Sequence, residues 1–233
     1  MNAKNSSKPG QDTLDFEEDE WAERDATSLG IQVQWPLIRV GRAMSGLVNG
    51  YLNFFNLKPA DLKSIYAKKA ETAESRRDTR GAVYYRRKVV RLDPSDTDAW
   101  YRLGLALERN GSLEEATSAY ERVIARKPEE ARAHYRIGVI ALRNRELTAA
   151  TLALEEAGRH APESAEIYFR LGQAYDRRNE HEKAIDFFKR ALEIKHTFLA
   201  VYKNMALAYD NLGRHKDAVD CLRRAMELEE MAA

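Results

Sequence analysis

Apolar and small residues recur along this chain with a period of 34. The stretches Ala99-Trp-Tyr-Arg-Leu-Gly-Leu-Ala-Leu107, Ala133-His-Tyr-Arg-Ile-Gly-Val-Ile-Ala141, Ile167-Tyr-Phe-Arg-Leu-Gly-Gln-Ala-Tyr175 and Val201-Tyr-Lys-Asn-Met-Ala-Leu-Ala-Tyr209 follow one another at that spacing without a gap. A second half repeats on the same period. Small residues stand at Ala82, Ala116, Ala150, Ala184 and Ala218, and larger ones follow at Tyr120, Leu154, Phe188 and Leu222. Pro94, Pro128 and Pro162 close the units. Within the first half Trp100, Leu103, Gly104 and Leu107 are three or four residues apart, as Ala116, Tyr120 and Val123 are within the second. That spacing predicts two antiparallel helices per unit, each with one apolar face. Gly104 and Ala116 are expected where the two helices cross, since a larger side chain would hold them apart. Gly111 is expected to end the first helix, and a capping box, Ser112-Leu-Glu-Glu115, to open the second.

The pattern resembles the tetratricopeptide repeat (TPR) family. The resemblance implies an all-α, right-handed solenoid of helix pairs that binds other proteins. The units are 97–130, 131–164, 165–198 and 199–233. A degenerate unit, 63–96, keeps Tyr66, Ala70, Ala82 and Pro94 but has Lys69 and Arg86 at places that are usually apolar. His196 and Glu230 replace the closing proline in the last two units.

Two unlike segments precede the repeats. Residues 1–30 hold three basic and eight acidic side chains, net −5, and read as a disordered acidic tail. Residues 31–62 read as an amphipathic helical leader. Its apolar stripe is Leu37, Val40, Met44, Leu47, Val48, Tyr51 and Phe55. The stripe over 35–57 fits a cap on the first repeat, or a helix lying on a membrane surface with Trp35, Arg39 and Arg42. At the other end Val219, Leu222 and Met226 are expected to be partly open and to offer a subunit contact.

Composition narrows the function. The net charge of the 233 residues is +1, so no global field points to nucleic acid or anionic lipid. The single cysteine, Cys221, excludes an intrachain disulfide. Neither a signal peptide nor a membrane span is read in the sequence, which fits a cytoplasmic protein. Phosphate-loop and His-Glu-x-x-His patterns are missing from the sequence, so no enzyme and no cofactor or metal is expected. His134, at the place of Trp100, is expected in the core. His181 and His215 recur near the start of second helices.

The exposed side of the first helices carries the candidate site. Lys68, Arg102, Arg136 and Arg170 are spaced by 34, and so are Arg109, Arg143 and Arg177. The two rows are seven residues apart, on one helix face. Seven cations would line a concave groove. Tyr101, Tyr135 and Phe169, one position before the arginines of the first row, would supply apolar surface. Asp98, Glu108, Glu166, Asp176 and Asp210 are at hand to neutralise these cations. The rows fit an acidic protein segment, because arginine holds carboxylates through two parallel bonds. The interleaved acids argue against a phosphate track, so nucleic acid is not expected as a partner. The chain holds one such acidic segment itself. Asp12 to Glu23 surrounds Leu14, Phe16 and Trp21 with acids, and would occupy the groove of its own chain as an autoinhibitory segment or that of a neighbour, giving self-association into a homo-oligomer. Within the family the plan is similar to the MamA-like, magnetosome-associated branch, on Tyr168-Phe-Arg-Leu-Gly-Gln-Ala-Tyr-Asp176, Ala184-Ile-Asp-Phe-Phe-Lys189 and Gly213-Arg-His215. That likeness implies a self-assembling coat, peripheral on an organelle membrane.

Overall fold

Each repeat of the sequence pattern is one helix pair in the computed structural model, which describes residues 58–231. Ten helices follow in order among the described residues. They are α1 (Pro59–Ser75), α2 (Thr79–Leu92), α3 (Thr97–Asn110), α4 (Leu113–Ile124), α5 (Ala131–Arg143), α6 (Leu147–His160), α7 (Ala165–Arg177), α8 (His181–Ile194), α9 (Leu199–Asn211) and α10 (His215–Glu230). Every helix packs on its neighbours in sequence, and α5, α7 and α9 also touch along the row of first helices. This is an all-α solenoid. The leader 31–62 and the unit 63–96 do not meet at an element boundary. Helix α1 starts four residues earlier, at Pro59, and runs through both, because proline suits the first turn of a helix. The acidic tail 1–30 and the stripe over 35–57 lie outside the described residues.

Within a pair, a glycine of the first helix faces a large side chain of the second. A Cβ on Gly104 would stand 2.5 Å from the Tyr120 ring, one on Gly138 2.6 Å from Leu154, and one on Gly172 within the Phe188 ring contact at 2.3 Å. Tyr120, Leu154 and Phe188 are fully buried there. The degenerate first pair solves the crossing differently. Arg86 takes the ring's place beside Ala70, and its Nε donates to Glu74 Oε1 at 3.0 Å. Its side chain is only 4% exposed. Burying the charge is tolerable because the half-buried Glu74 carboxylate stands against it.

Two kinds of turn alternate. Between the helices of a pair, Arg77, Gly111, Arg145, Asn179 and Gly213 all have positive φ, from 59° to 87°. These five positions are 34 apart, so one left-handed residue ends every first helix. Between pairs, a β-turn bonds Asp96 N to Asp93 O, Glu130 N to Lys127 O, Ser164 N to Ala161 O and Phe198 N to Lys195 O, at 3.0–3.3 Å. Pro94, Pro128 and Pro162 hold the second turn position, and His196 fills it in the last such turn with the same bond. Proline presets this turn but the turn does not require it.

Two expectations are corrected. The Ser112 side chain caps nothing; its Oγ accepts from Asn110 Nδ2 at 3.1 Å. Side-chain caps are instead Asp61, accepting from Lys58 N, Asp78, accepting from Gly81 N, and Asp96, accepting from Ala99 N. His134 is half-buried at the junction between pairs and not in the core. Its Nε2 stands 2.8 Å from the Pro128 carbonyl, where the Trp100 indole N–H donates to the Pro94 carbonyl at 2.9 Å. Histidine replaces tryptophan here by keeping that bond.

Candidate functional site

The two rows of cations are set by the first helices, α1, α3, α5 and α7, and the structure divides them. At the N-terminal end the charges are neutralised. Arg102 Nε is 2.7 Å from Asp98 Oδ2 and its Nη1 4.0 Å from Glu71, while Arg109 Nη1 is 3.9 Å from Glu74. Arg136 is half-buried, with Nη1 3.5 Å from Glu108 Oε2 and a buried Nε that has no hydrogen-bond partner. Arg102 and Arg109 border a recess of about 220 Å³ that Glu74 and Asp98 also line. Lys68 stands exposed on α1, apart from both recesses.

The C-terminal end differs. Arg143, Arg170 and Arg177 converge on a cleft of about 750 Å³ together with Arg145, Val139, Leu142, Leu147 and Gln173. No carboxylate lines it. Only Arg170 has an acidic partner, Glu166, at 2.8 Å. Arg177 donates from Nη1 to the Leu142 carbonyl at 2.9 Å, at the electronegative C-terminal end of α5. Arg143 and Arg145 are exposed and, among the described residues, make no ion pair or side-chain hydrogen bond. Two of the acids expected to neutralise these cations are engaged elsewhere. Asp176 Oδ1 is 2.8 Å from His181 Nδ1, and Asp210 Oδ1 2.7 Å from His215 Nδ1.

The aromatic residues of the rows split too. Tyr101 is half-buried under Arg132, whose guanidinium lies 4.8 Å from the ring centre. Tyr135 is half-buried and donates its hydroxyl to Glu166 at 3.3 Å. Phe169 does not supply groove surface. It is 5% exposed, packed against Phe188 and Phe198 with ring centres 6.1 and 5.0 Å away. The apolar floor of the cleft comes from Val139, Leu142 and Leu147 instead. Leu14, Phe16 and Trp21 lie outside the described residues.

Arg145 was not singled out in the sequence. Its signal is the turn position where Gly111 and Gly213 recur: a cation stands where the backbone calls for glycine. A non-glycine residue in that region is uncommon, and of the three such residues, Arg77, Arg145 and Asn179, only Arg145 lines the cleft. The assembled cleft, with Arg143 and Arg145 unpaired and Arg177 held only by the Leu142 carbonyl over an aliphatic floor, can hold a carboxylate through paired N–H donors and bury an adjacent apolar side chain. Among the described residues no cluster of His, Cys, Asp or Glu could hold a metal ion, and no helix is long and apolar enough to cross a membrane.

Comparison with known proteins agrees with the helix pairs. Sequence profiles described as tetratricopeptide repeat match residues 68–122 and 114–161, 165–198 and 199–230. A crystal structure of MamA protein is 28% identical, covering 73% of this chain and 93% of that chain, with a TM-score of 0.68. The MamA 41-end structure from Desulfovibrio magneticus RS-1 is 25% identical, covering 73% of this chain and 97% of that chain, with a TM-score of 0.70. No curated protein matches the chain.

Proposed function

We propose a function from one premise: this chain belongs to the tetratricopeptide-repeat family and has a MamA-like fold. It is a protein-interaction scaffold. The finer reading is that it takes an acidic, apolar-punctuated segment of a partner protein into the cleft between α5, α6 and α7. The observation that carries this reading is the cleft lining itself, four arginines and no carboxylate. Charge without a partner at a pocket rim favours an incoming opposite charge and speeds its arrival. Val139, Leu142 and Leu147 would receive an apolar side chain beside the acid. Nothing in this reading calls for a chemical step.

The likeness to MamA supports a wider role, a scaffold that self-assembles and sits peripherally on a magnetosome membrane through membrane proteins. The acidic segment around Leu14, Phe16 and Trp21 has the chemistry the cleft takes, so it is the natural probe. A fluorescent peptide covering residues 12–23 is titrated with the full chain and followed by anisotropy. Arg143→Ala and Arg177→Ala are each expected to weaken binding about tenfold, because a hydrogen bond to a charged group is typically worth about 1.5 kcal/mol or more. Arg102→Ala, whose charge is already met by Asp98, is expected to change it less than about twofold. Equal losses at all three sites would overturn the assignment of the cleft.

A further inference from the structure

The last helix pair exposes a face that every earlier pair covers. In α8 Ile185 is 3% exposed and α9 of the next unit packs on this helix, while Phe188, at 0%, lies in the crossing of its own pair against Gly172. The equivalent positions of α10, one period on, are Val219 and Leu222, at 54% and 47%. Met226 extends the same stripe at 60%. The stripe is built like the surface on which a helix docks, yet among the described residues no helix lies on it. Contiguous exposed apolar surface of this kind marks an interaction site.

The ends of the stripe select the occupant. Residues at steps of three and four along α10 run His215, Val219, Leu222, Met226, Glu230. The charge left over at the first end is Lys216 and at the last end Glu230, since His215 stands 2.7 Å from Asp210 and Glu229 2.6 Å from Lys203. Lys216 and Glu230 make no ion pair among the described residues. A helix laid antiparallel on this stripe should therefore be apolar in its middle, acidic where it passes Lys216, and basic where it passes Glu230. Helix α10 itself has that pattern. We infer that this face pairs with the same face of a second copy, α10 against α10 about a two-fold axis near Leu222. Val219 then meets Met226 of the other copy, Leu222 meets its own counterpart, and Lys216 comes opposite Glu230. Parallel pairing would set like charge on like. A two-fold contact uses one self-complementary patch and closes at two copies, leaving the arginine cleft free.

This inference rests on the self-association in the functional reading and assigns it a surface. The test measures the solution mass of the full chain across protein concentration, beside Leu222→Glu and the charge variants. The wild type is expected to reach at least twice the 26.7 kDa of one chain. Leu222→Glu, at an exposed site and checked by circular dichroism for an unchanged fold, is expected to weaken the association at least about a hundredfold, because each contact then buries two facing carboxylates. Lys216→Glu and Glu230→Lys are each expected to weaken it, and the two together to restore it. In a Cys221→Ser background, Leu222→Cys is expected to form a crosslinked dimer on oxidation and Val219→Cys is not, since only a residue near the axis meets its own copy. A wild type that associates while Leu222→Glu leaves its mass unchanged overturns this surface and spares self-association. A wild type monomeric at every concentration overturns both. Peptide binding in the cleft, read separately by anisotropy, is expected to be unchanged in Leu222→Glu.

Discussion

The crossing of each helix pair rests on single residues whose sizes are matched. Gly172 and Phe188 leave no room for a methyl group, since a Cβ at position 172 would overlap the ring at 2.3 Å. Gly172→Ala gains about 1 kcal/mol of helix propensity but forces an overpacked core that typically costs about 1–3 kcal/mol. The expected outcome is a net loss of stability of about 1 kcal/mol, seen as a lower urea midpoint at unchanged slope. Arg86 and Glu74 form the charged version of the same crossing. Glu74→Gln leaves a buried guanidinium with a neutral partner and is expected to destabilise by about 3 kcal/mol. The double change Arg86→Leu with Glu74→Gln places an aliphatic group where Leu154 stands two units later, and is expected to recover that loss or exceed it. If Glu74→Gln alone is silent in chemical denaturation, the pair does not hold the first unit together.

At the scale of elements, the helices are uniform and the turns carry the variation. The left-handed residue that ends each first helix is glycine twice, arginine twice and asparagine once. A side chain in that conformation costs about 1 kcal/mol relative to glycine. Arg77→Gly and Arg145→Gly are therefore both expected to raise the thermal midpoint. Only Arg145→Gly is expected to weaken binding of the acidic peptide, because Arg145 lines the cleft and Arg77 does not. Stability gained together with affinity lost at one of two equivalent turns would separate a functional arginine from an incidental one. The β-turns between pairs give a second comparison. Lys195, before His196, has φ −135° and ψ 90°, close to the −143° and 85° of Asp93 before Pro94. The backbone there already has the extended form a following proline requires. His196→Pro is expected to stabilise by about 0.4–1 kcal/mol by restricting the unfolded chain, and a drop in the denaturation midpoint would show that the His196 side chain or N–H is needed.

For the described solenoid as a whole, stability is a sum of units and the interfaces between them. Helix α10 has a packed neighbour on one side only, α9, whereas α4, α6 and α8 are packed on both. Amide exchange is therefore expected to be faster in α10 than in α6 by at least about tenfold in dilute protein. Raising the concentration to where the mass doubles is expected to slow exchange in α10 and leave α3 unchanged. Protection appearing in α5 and α7 instead would place self-contact at the arginine cleft.

The repeat was legible in the sequence because helical burial is local. A 34-residue period of small, large and apolar positions determines helix pairs and their order, but Gly104, expected to meet Ala116 at the crossing, meets the Tyr120 ring instead. The arginine rows were legible for the same reason, as positions on one helix face. What the period does not carry is which acid each arginine meets. Asp98 and Glu166 lie on the same helix as the arginines they neutralise, while Glu74, Glu108 and the His181 that occupies Asp176 come from a neighbouring helix. Nor does it show that Phe169 turns into the core, or that Arg145, in a turn outside both rows, joins the cleft. Those outcomes depend on distances between elements, which the packing of one helix pair on the next decides and no single helix encodes.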